Sequence, residues 1–184
     1  MGEAARVPRG HVLSTILCAF GRCPRGAPGR AVTDVVSTLT RSRMMSGIRG
    51  KDTKPEMLVR RVLFKAGFRF RLHRKDLPGV PDVVFPKWRV ALFVHGCFWH
   101  MHQGCANAKI PSTRPEFWRR KLEANVERDR RAQIALAEAG WRVVVVWECL
   151  TRDTQALAAL PESLSSWIKC PAIFGEFSRP DKSR

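Results

Sequence analysis

The chain has 184 residues, 45% of them hydrophobic, and a formal net charge of +17. That length suits one domain with tails and a sizeable core, and a positive balance of this size points to nucleic acid, an anionic membrane or an acidic partner. No apolar run long enough for a membrane helix accompanies the charge, which sets the membrane aside and leaves nucleic acid ahead. Residues 41–150 carry 23 Lys/Arg against 10 Asp/Glu, so the excess sits in the folded part and not in a tail.

Residues 1–40 are rich in Gly, Pro and Arg without a sustained period and read as a flexible or misassigned extension. Arg6 and Arg9 before the apolar stretch 12–20 imitate a signal peptide, but no clean small-x-small site follows. The basic stretch 40–49 reads as a short helix or an arm. A helix start follows: Thr53 or Asp52 can cap, Pro55 fits the first turn and Glu56 meets the positive helix end. Met57, Leu58, Val62, Leu63 and Ala66 then recur at helical spacing up to Gly67.

Residues 68–72 alternate apolar and basic as a half-exposed strand. After the Pro78-Gly79 turn, residues 81–85 and 89–94 predict two more strands, joined by a hairpin-like turn at Lys87-Trp88. Pro115 opens a long amphipathic helix over 116–139, closed by Gly140. Residues 141–147 are a strand buried on both faces, and a weaker helix covers 154–168. The order predicts an α/β fold with a mixed central sheet flanked by helices. The domain spans 41–170, and 171–184 read as a tail.

Chemistry concentrates after the third strand. His95-Gly96-Cys97-Phe98-Trp99-His100-Met101-His102-Gln103-Gly104-Cys105 holds three imidazoles, two thiols and two large rings. Cys97, His102 and Cys105 are spaced to supply three ligands of a tetrahedral Zn²⁺, with Cys149 as the best fourth. Four protein ligands would make that site structural. The remaining cysteines, Cys18, Cys23 and Cys170, lie in poorly patterned regions and receive no role. Mixed with histidines at short spacing, the cysteines read as metal ligands in a reducing compartment and not as a disulfide framework.

Asp82 opens the second strand after Pro81. On local sequence it fits equally a turn cap and a seat for a hard cation such as Mg²⁺; His95 and His100 nearby favour the cation. Two imidazoles beside it can move protons or bind a phosphate oxygen. Glu56 is a candidate second carboxylate, although acids at helix starts need no function. Asp129 reads as part of a solvated charged face. Phe98, Trp99 and Trp118 are candidates for stacking on bases or wedging between base pairs, whereas Phe117 and Trp147 read as core. Arg114, Arg119 and their neighbours make the long helix basic enough for phosphate contacts.

Pro81-Asp82, His95-Gly96-Cys97-Phe98-Trp99-His100, Glu116-Phe117-Trp118, Asn125-Val126-Glu127-Arg128-Asp129 and residues 140–149, taken together, resemble the very short patch repair (Vsr) endonucleases. The resemblance covers residues 41–150. It implies a restriction endonuclease-like fold and an enzyme that nicks one strand at T:G mismatches left by deamination of 5-methylcytosine. It further implies Mg²⁺ held by Asp82 and the main chain of Val94, with His95, His100 and Glu56 catalytic. The same resemblance implies DNA contacts by Phe98, Trp99, Trp118, Arg114, Arg119 and Asn125, and structural Zn²⁺ on Cys97, His102, Cys105 and Cys149. A monomer acting on duplex DNA, cytoplasmic and nucleoid-associated, with other mismatch-repair proteins as further partners, completes the expectation. One departure stands out: Cys105 follows His102 by three residues where the best-known members have two.

Overall fold

In the computed structural model, which describes Ser37, Leu39, Thr40, Arg43 and residues 50–180, Thr53 starts helix α1 (Lys54–Lys65) with a reciprocal capping box. Its hydroxyl accepts from the Glu56 amide, and the Glu56 carboxylate returns to the Thr53 amide. Gly67, at φ +88°, then turns the chain out of the helix. The chain divides into two compact units, Met1–Met45 and Ser46–Arg184. In the first, Ser37 Oγ accepts from the Thr40 amide at 3.2 Å. The readings of residues 1–36, Cys18 and Cys23 included, and of most of 40–49 lie outside the described residues.

The second unit is built on one five-stranded sheet ordered β1-β2-β3-β4-β5: β1 (Arg71–Leu72), β2 (Val83–Phe85), β3 (Val90–His95), β4 (Arg142–Trp147) and β5 (Phe174–Phe177). β1, β2 and β3 pair antiparallel; β3, β4 and β5 run parallel. Helix α2 (Pro115–Glu138) carries the chain from β3 to β4. Helices α3 (Glu148–Thr151) and α4 (Thr154–Lys169) carry it from β4 to β5. Asp153 caps α4 by accepting from the Gln155 and Ala156 amides, each at 3.0 Å.

Strand alternation sorts the side chains onto two faces. Val83, Phe85, Val90, Leu92, Val144 and Val146 form one core with Val59 and Leu63 of α1 and Leu160 and Leu164 of α4. Val84, Ala91, Phe93 and Val143 form the other with Leu136 of α2, Leu77 and Trp141. The same period of two puts Asp82, His95 and Trp147 on the α2 side.

The mixed, helix-flanked sheet agrees with the sequence reading. The hairpin-like turn at Lys87-Trp88 is present as expected, joining the antiparallel β2 and β3 through a 3₁₀ turn over Pro86–Trp88. Two particulars differ. The first strand is only two residues long, because Phe68 and Phe70 turn edge-on to Phe85 at 5.6 and 6.0 Å while only Arg71 and Leu72 reach the β2 ladder. Residues 171–184, read as a tail, contain strand β5. Gly175 lets that strand approach closely, since a Cβ there would stand 2.4 Å from Nε1 of Trp167.

Candidate active site

β3 and β4 end in step, with His95 opposite Trp147. Two residues beyond the end of each strand stand Cys97, in the exit loop, and Cys149, in α3. This shared exit, with α2 alongside, carries a cavity of about 650 Å³ and, behind it, a cluster of sulfur and nitrogen ligands.

Asp82 lines the cavity just before β2, and its Oδ2 accepts a hydrogen bond from the Val94 amide at 2.8 Å. Burial pushes its carboxyl up to about 6; the Val94 amide opposes the shift and the nearby Glu56 charge adds to it. His73 and Arg60 offset the burial only in part, and a largely buried carboxylate of this kind is a suitable oxygen donor for Mg²⁺. The turn before it is tight. Gly79 (φ +73°) lies so close to α2 that a Cβ would come within 2.7 Å of Ala132 Cβ, and Val80 follows at φ +50°.

Glu56 also lines the cavity, but as part of an ion network. Its carboxylate accepts from Thr53 Oγ1 at 2.7 Å, from the Asp52 amide at 3.0 Å and from Arg60 Nη2 at 2.8 Å. Arg60 also donates to Asp52 Oδ1 at 2.5 Å, and its Nη2 lies 2.9 Å from His73 Nε2. Asp52, Glu56 and His73 bring three possible ligand atoms together, yet the Arg60 guanidinium already occupies the space between them.

His95 is buried, and its ring stacks on His100 at 4.0 Å with the planes 8° apart. Burial pushes the His95 imidazole down to about 3, and the neighbouring His100 pushes the same way. His100 Nδ1 lies 2.5 Å from Asp129 Oδ2 on α2. Asp129 therefore joins the site, contrary to its reading as a solvated charge. The signal was Asn125, four residues earlier on the same helix face, whose Nδ2 donates to the Trp99 carbonyl at 3.1 Å. His95, His100 and Asp129 also form a possible ligand group. The short His100–Asp129 contact and the His95 stack make this trio a carboxylate–histidine dyad roofed by a second ring.

Cys97, His102, Cys105 and Cys149 each offer a ligand atom within 4.8 Å of the others, with Cys97 and Cys149 buried. Gly104, at φ +69°, supplies the extra turn that brings Cys105 back to the group despite its longer spacing. Burial holds the Cys97 thiol up at about 12. A soft, four-donor set of three thiols and one imidazole fits Zn²⁺.

At the rim of the cavity, which Trp99 lines, Phe98, Trp99, Phe117 and Trp118 meet edge-to-face at centroid distances of 5.1 to 6.1 Å. The Lys121 ammonium lies over the Trp99, Phe117 and Trp118 rings. Phe117 is 49% exposed, which corrects its reading as core, whereas Trp147 is buried as expected. Arg114 and Arg119 are exposed near this cluster's helix start. Asn125 is held internally at both ends: Arg128 donates to its Oδ1 at 2.9 Å while its Nδ2 holds the Trp99 loop.

The Vsr DNA mismatch endonuclease family model matches residues 33–107. The chain is 53% identical over 128 residues to the type II nicking enzyme V.XorIIP of Xanthomonas oryzae pv. oryzae, covering 70% of this chain and 93% of that protein. It is 45% identical over 139 residues to the DNA mismatch endonuclease Vsr of Escherichia coli K12, covering 74% and 88%. This chain belongs to the Vsr DNA mismatch endonuclease family. A third relative, the type II nicking enzyme V.NmeAIP of Neisseria meningitidis, is 44% identical over 118 residues, covering 64% of this chain and 84% of that protein. Family membership makes this protein a DNA endonuclease with a restriction endonuclease-like α/β fold. Among the described residues no helix is long and apolar enough to cross a membrane.

Proposed function

We propose that this Vsr protein nicks one strand of duplex DNA at T:G mismatches arising from 5-methylcytosine deamination, by Mg²⁺-dependent hydrolysis of a phosphodiester. The observation that carries the reading is the convergence of Asp82, His95 and the His100–Asp129 dyad on one cavity beside an aromatic, basic surface. Asp82, with the main chain of Val94 and the charge of Glu56 beside it, would hold Mg²⁺. When bound, Mg²⁺ supplies Lewis-acid stabilisation of phosphoryl charge and makes water a better nucleophile.

The side chains supply the rest. Asp129 accepts from Nδ1–H of His100 and fixes the tautomer, leaving Nε2 as the base that takes a proton from the attacking water. His95, held neutral by burial, donates a hydrogen bond to a phosphate oxygen without bringing a competing charge. Phe98, Trp99 and Trp118 enter the stack beside the mismatch, where a mispaired step unstacks more easily. Arg114 and Arg119 contact phosphates, and Asn125 keeps the Trp99 loop in place. Zn²⁺ on Cys97, His102, Cys105 and Cys149 would clamp that loop to the sheet. The protein acts as a monomer at the nucleoid, in the cytoplasm, and other mismatch-repair proteins follow at its nick.

The test is cleavage of an end-labelled duplex with one T:G pair in a methylase-type site, beside its matched control, with and without Mg²⁺. A Mg²⁺-dependent nick confined to the T strand of the mismatched duplex is expected. Equal cutting of both duplexes would replace this reading with a broader nuclease. Mismatch binding without cutting would leave a zinc-stabilised DNA-binding module.

A further inference from the structure

The two halves of this site are joined by one ring. His102, a member of the sulfur-rich cluster, lies flat on Trp147 at 4.1 Å with the planes 7° apart. The other side of the contact is His95, edge-to-face with Trp147 at 5.5 Å and 74°. His95 in turn is stacked on His100, whose Nδ1 Asp129 holds. The four rings form a continuous column from the Cys/His cluster to the dyad. Trp147 also packs with Cys97, Cys149 and Val145 in one buried group. Its indole Nε1 is buried and has no hydrogen-bond partner among the described residues. No hydrogen bond from the described residues fixes this ring, so its orientation rests on packing, with the two imidazoles against it and Cys97, Cys149 and Val145 around it.

We propose that Trp147 is a positioning residue that couples the geometry of the Cys97/His102/Cys105/Cys149 cluster to that of the His95–His100 pair. As one donor of a four-residue set that would hold Zn²⁺, His102 would present a rigid face; Trp147 seats on it, and His95 takes its angle from the Trp147 edge. A loose His95 would leave His100 without its stacked neighbour and misplace both against the phosphate. The kinetic part of this inference rests on the endonuclease reading above; the structural part does not.

The full chain, loaded with Zn²⁺, is compared as wild type, Trp147→Phe, Trp147→Leu and His102→Cys. The last variant keeps four donors, as a Cys₄ set, but deletes the ring beneath Trp147. Zinc content, histidine ring ¹H–¹³C NMR signals and nicking kinetics are read for each. We expect one zinc per chain throughout, and displaced His95 and His100 ring signals in both Trp147→Leu and His102→Cys. We expect kcat to fall about 100-fold in Trp147→Leu, as for a misplacement near 1 Å, with KM changed by less than about 3-fold. Trp147→Phe, which retains an aromatic face and loses no hydrogen bond, should recover most of the rate. The double variant His102→Cys/Trp147→Leu should be no slower than Trp147→Leu, because each change breaks the same link.

Histidine signals unmoved in folded, zinc-loaded variants would overturn the coupling, whatever the protein cuts. Additive losses in the double variant would overturn it as well. Should Trp147→Leu not fold, Trp147→Phe and His102→Cys decide, by whether the histidine signals shift in the order of ring loss. Should His102→Cys lose zinc, the Trp147 variants decide alone. Displaced histidine signals with no nicking in the wild type would uphold the coupling and count only against the proposed function.

Discussion

Asp129 Oδ2 and His100 Nδ1 lie 2.5 Å apart, although 29 positions separate them in the chain. The contact exists because α2 crosses the face of the sheet from which the β3 exit loop turns back. An acceptor on Nδ1 gives the imidazole one tautomer and one orientation, which is what a general base requires. Asp129→Ala should therefore lower kcat by about 100-fold or more, the usual contribution of positioned acid–base catalysis, and leave duplex affinity nearly unchanged. Single-turnover nicking beside a filter-binding titration separates the two, and equal loss of affinity and rate would reduce Asp129 to a folding residue.

Asp82 carries a stability consequence of its own. Its carboxyl is raised, chiefly by burial, from an ordinary 3.8 to about 6. The folded protein therefore prefers the protonated acid. That preference is fully present below pH 4 and is lost as pH climbs through about 6, a difference of roughly 3 kcal/mol. Asp82→Asn removes the ionisation. In Mg²⁺-free buffer the variant should be more stable than wild type at pH 8, by up to roughly 2–3 kcal/mol, and no more stable at pH 3.5. The same variant should not nick. Urea unfolding at the two pH values tests the sign, and a gain that grows toward acid would contradict it.

The sulfur cluster has the opposite dependence. With Cys97 held up at about 12, mainly by burial, the metal-free thiol is protonated across the physiological range. Binding of Zn²⁺ must expel protons, so affinity should fall steeply from pH 8 to pH 6. Competition against a chromophoric chelator measures this directly, with proton release followed in weak buffer. Chelation should also lower the unfolding midpoint, and by less in acid. A pH-independent affinity would argue for preformed thiolates.

Val80 is strained. A β-branched residue at φ +50° stands on the turn that delivers Asp82, between Gly79 and Pro81. Asn tolerates the left-handed region far better than Val. Because Val80 is 38% exposed, little packing is lost on replacing it. Val80→Asn should stabilise the protein by about 1 kcal/mol, the low end of such strain energies. An unchanged or lower unfolding midpoint would mean that the Val80 side chain contributes packing that offsets its backbone.

Much of this was legible in the chain itself, for identifiable reasons. Thr53, Pro55 and Glu56 announce α1 through local capping chemistry, and residues 142–147 announce a buried strand by being nearly all apolar. Cys97, His102 and Cys105 are close in sequence, so their clustering needed only a loop, and Cys149 needed only that two parallel strands end in step. The rest depends on contacts between distant segments. Asp129 looks like its charged neighbours until α2 is laid across the sheet. β5 is four residues long, half exposed and contains Gly175, a weak strand former, and it pairs because β4 offers it an edge. Phe117 has the composition of a core residue, yet the α2 start directs it outward beside Trp118.

The aromatic cluster and the basic helix should separate in salt titrations. Trp99 is braced by Phe98 and Trp118 and lies under the Lys121 ammonium, so it presents a ring with little freedom left to lose on stacking. Stacking is sequence-tolerant and uncharged, whereas each phosphate contact releases counterions. Trp99→Ala should weaken binding to a T:G duplex by about 1–3 kcal/mol while leaving the slope of log affinity against log salt unchanged. Arg119→Ala should reduce that slope by about 0.9 and weaken matched and mismatched duplexes alike. Affinities at four salt concentrations, for both duplexes and both variants, give the comparison. Loss of slope in Trp99→Ala would mean that the ring positions Lys121 on a phosphate and does not itself enter the stack.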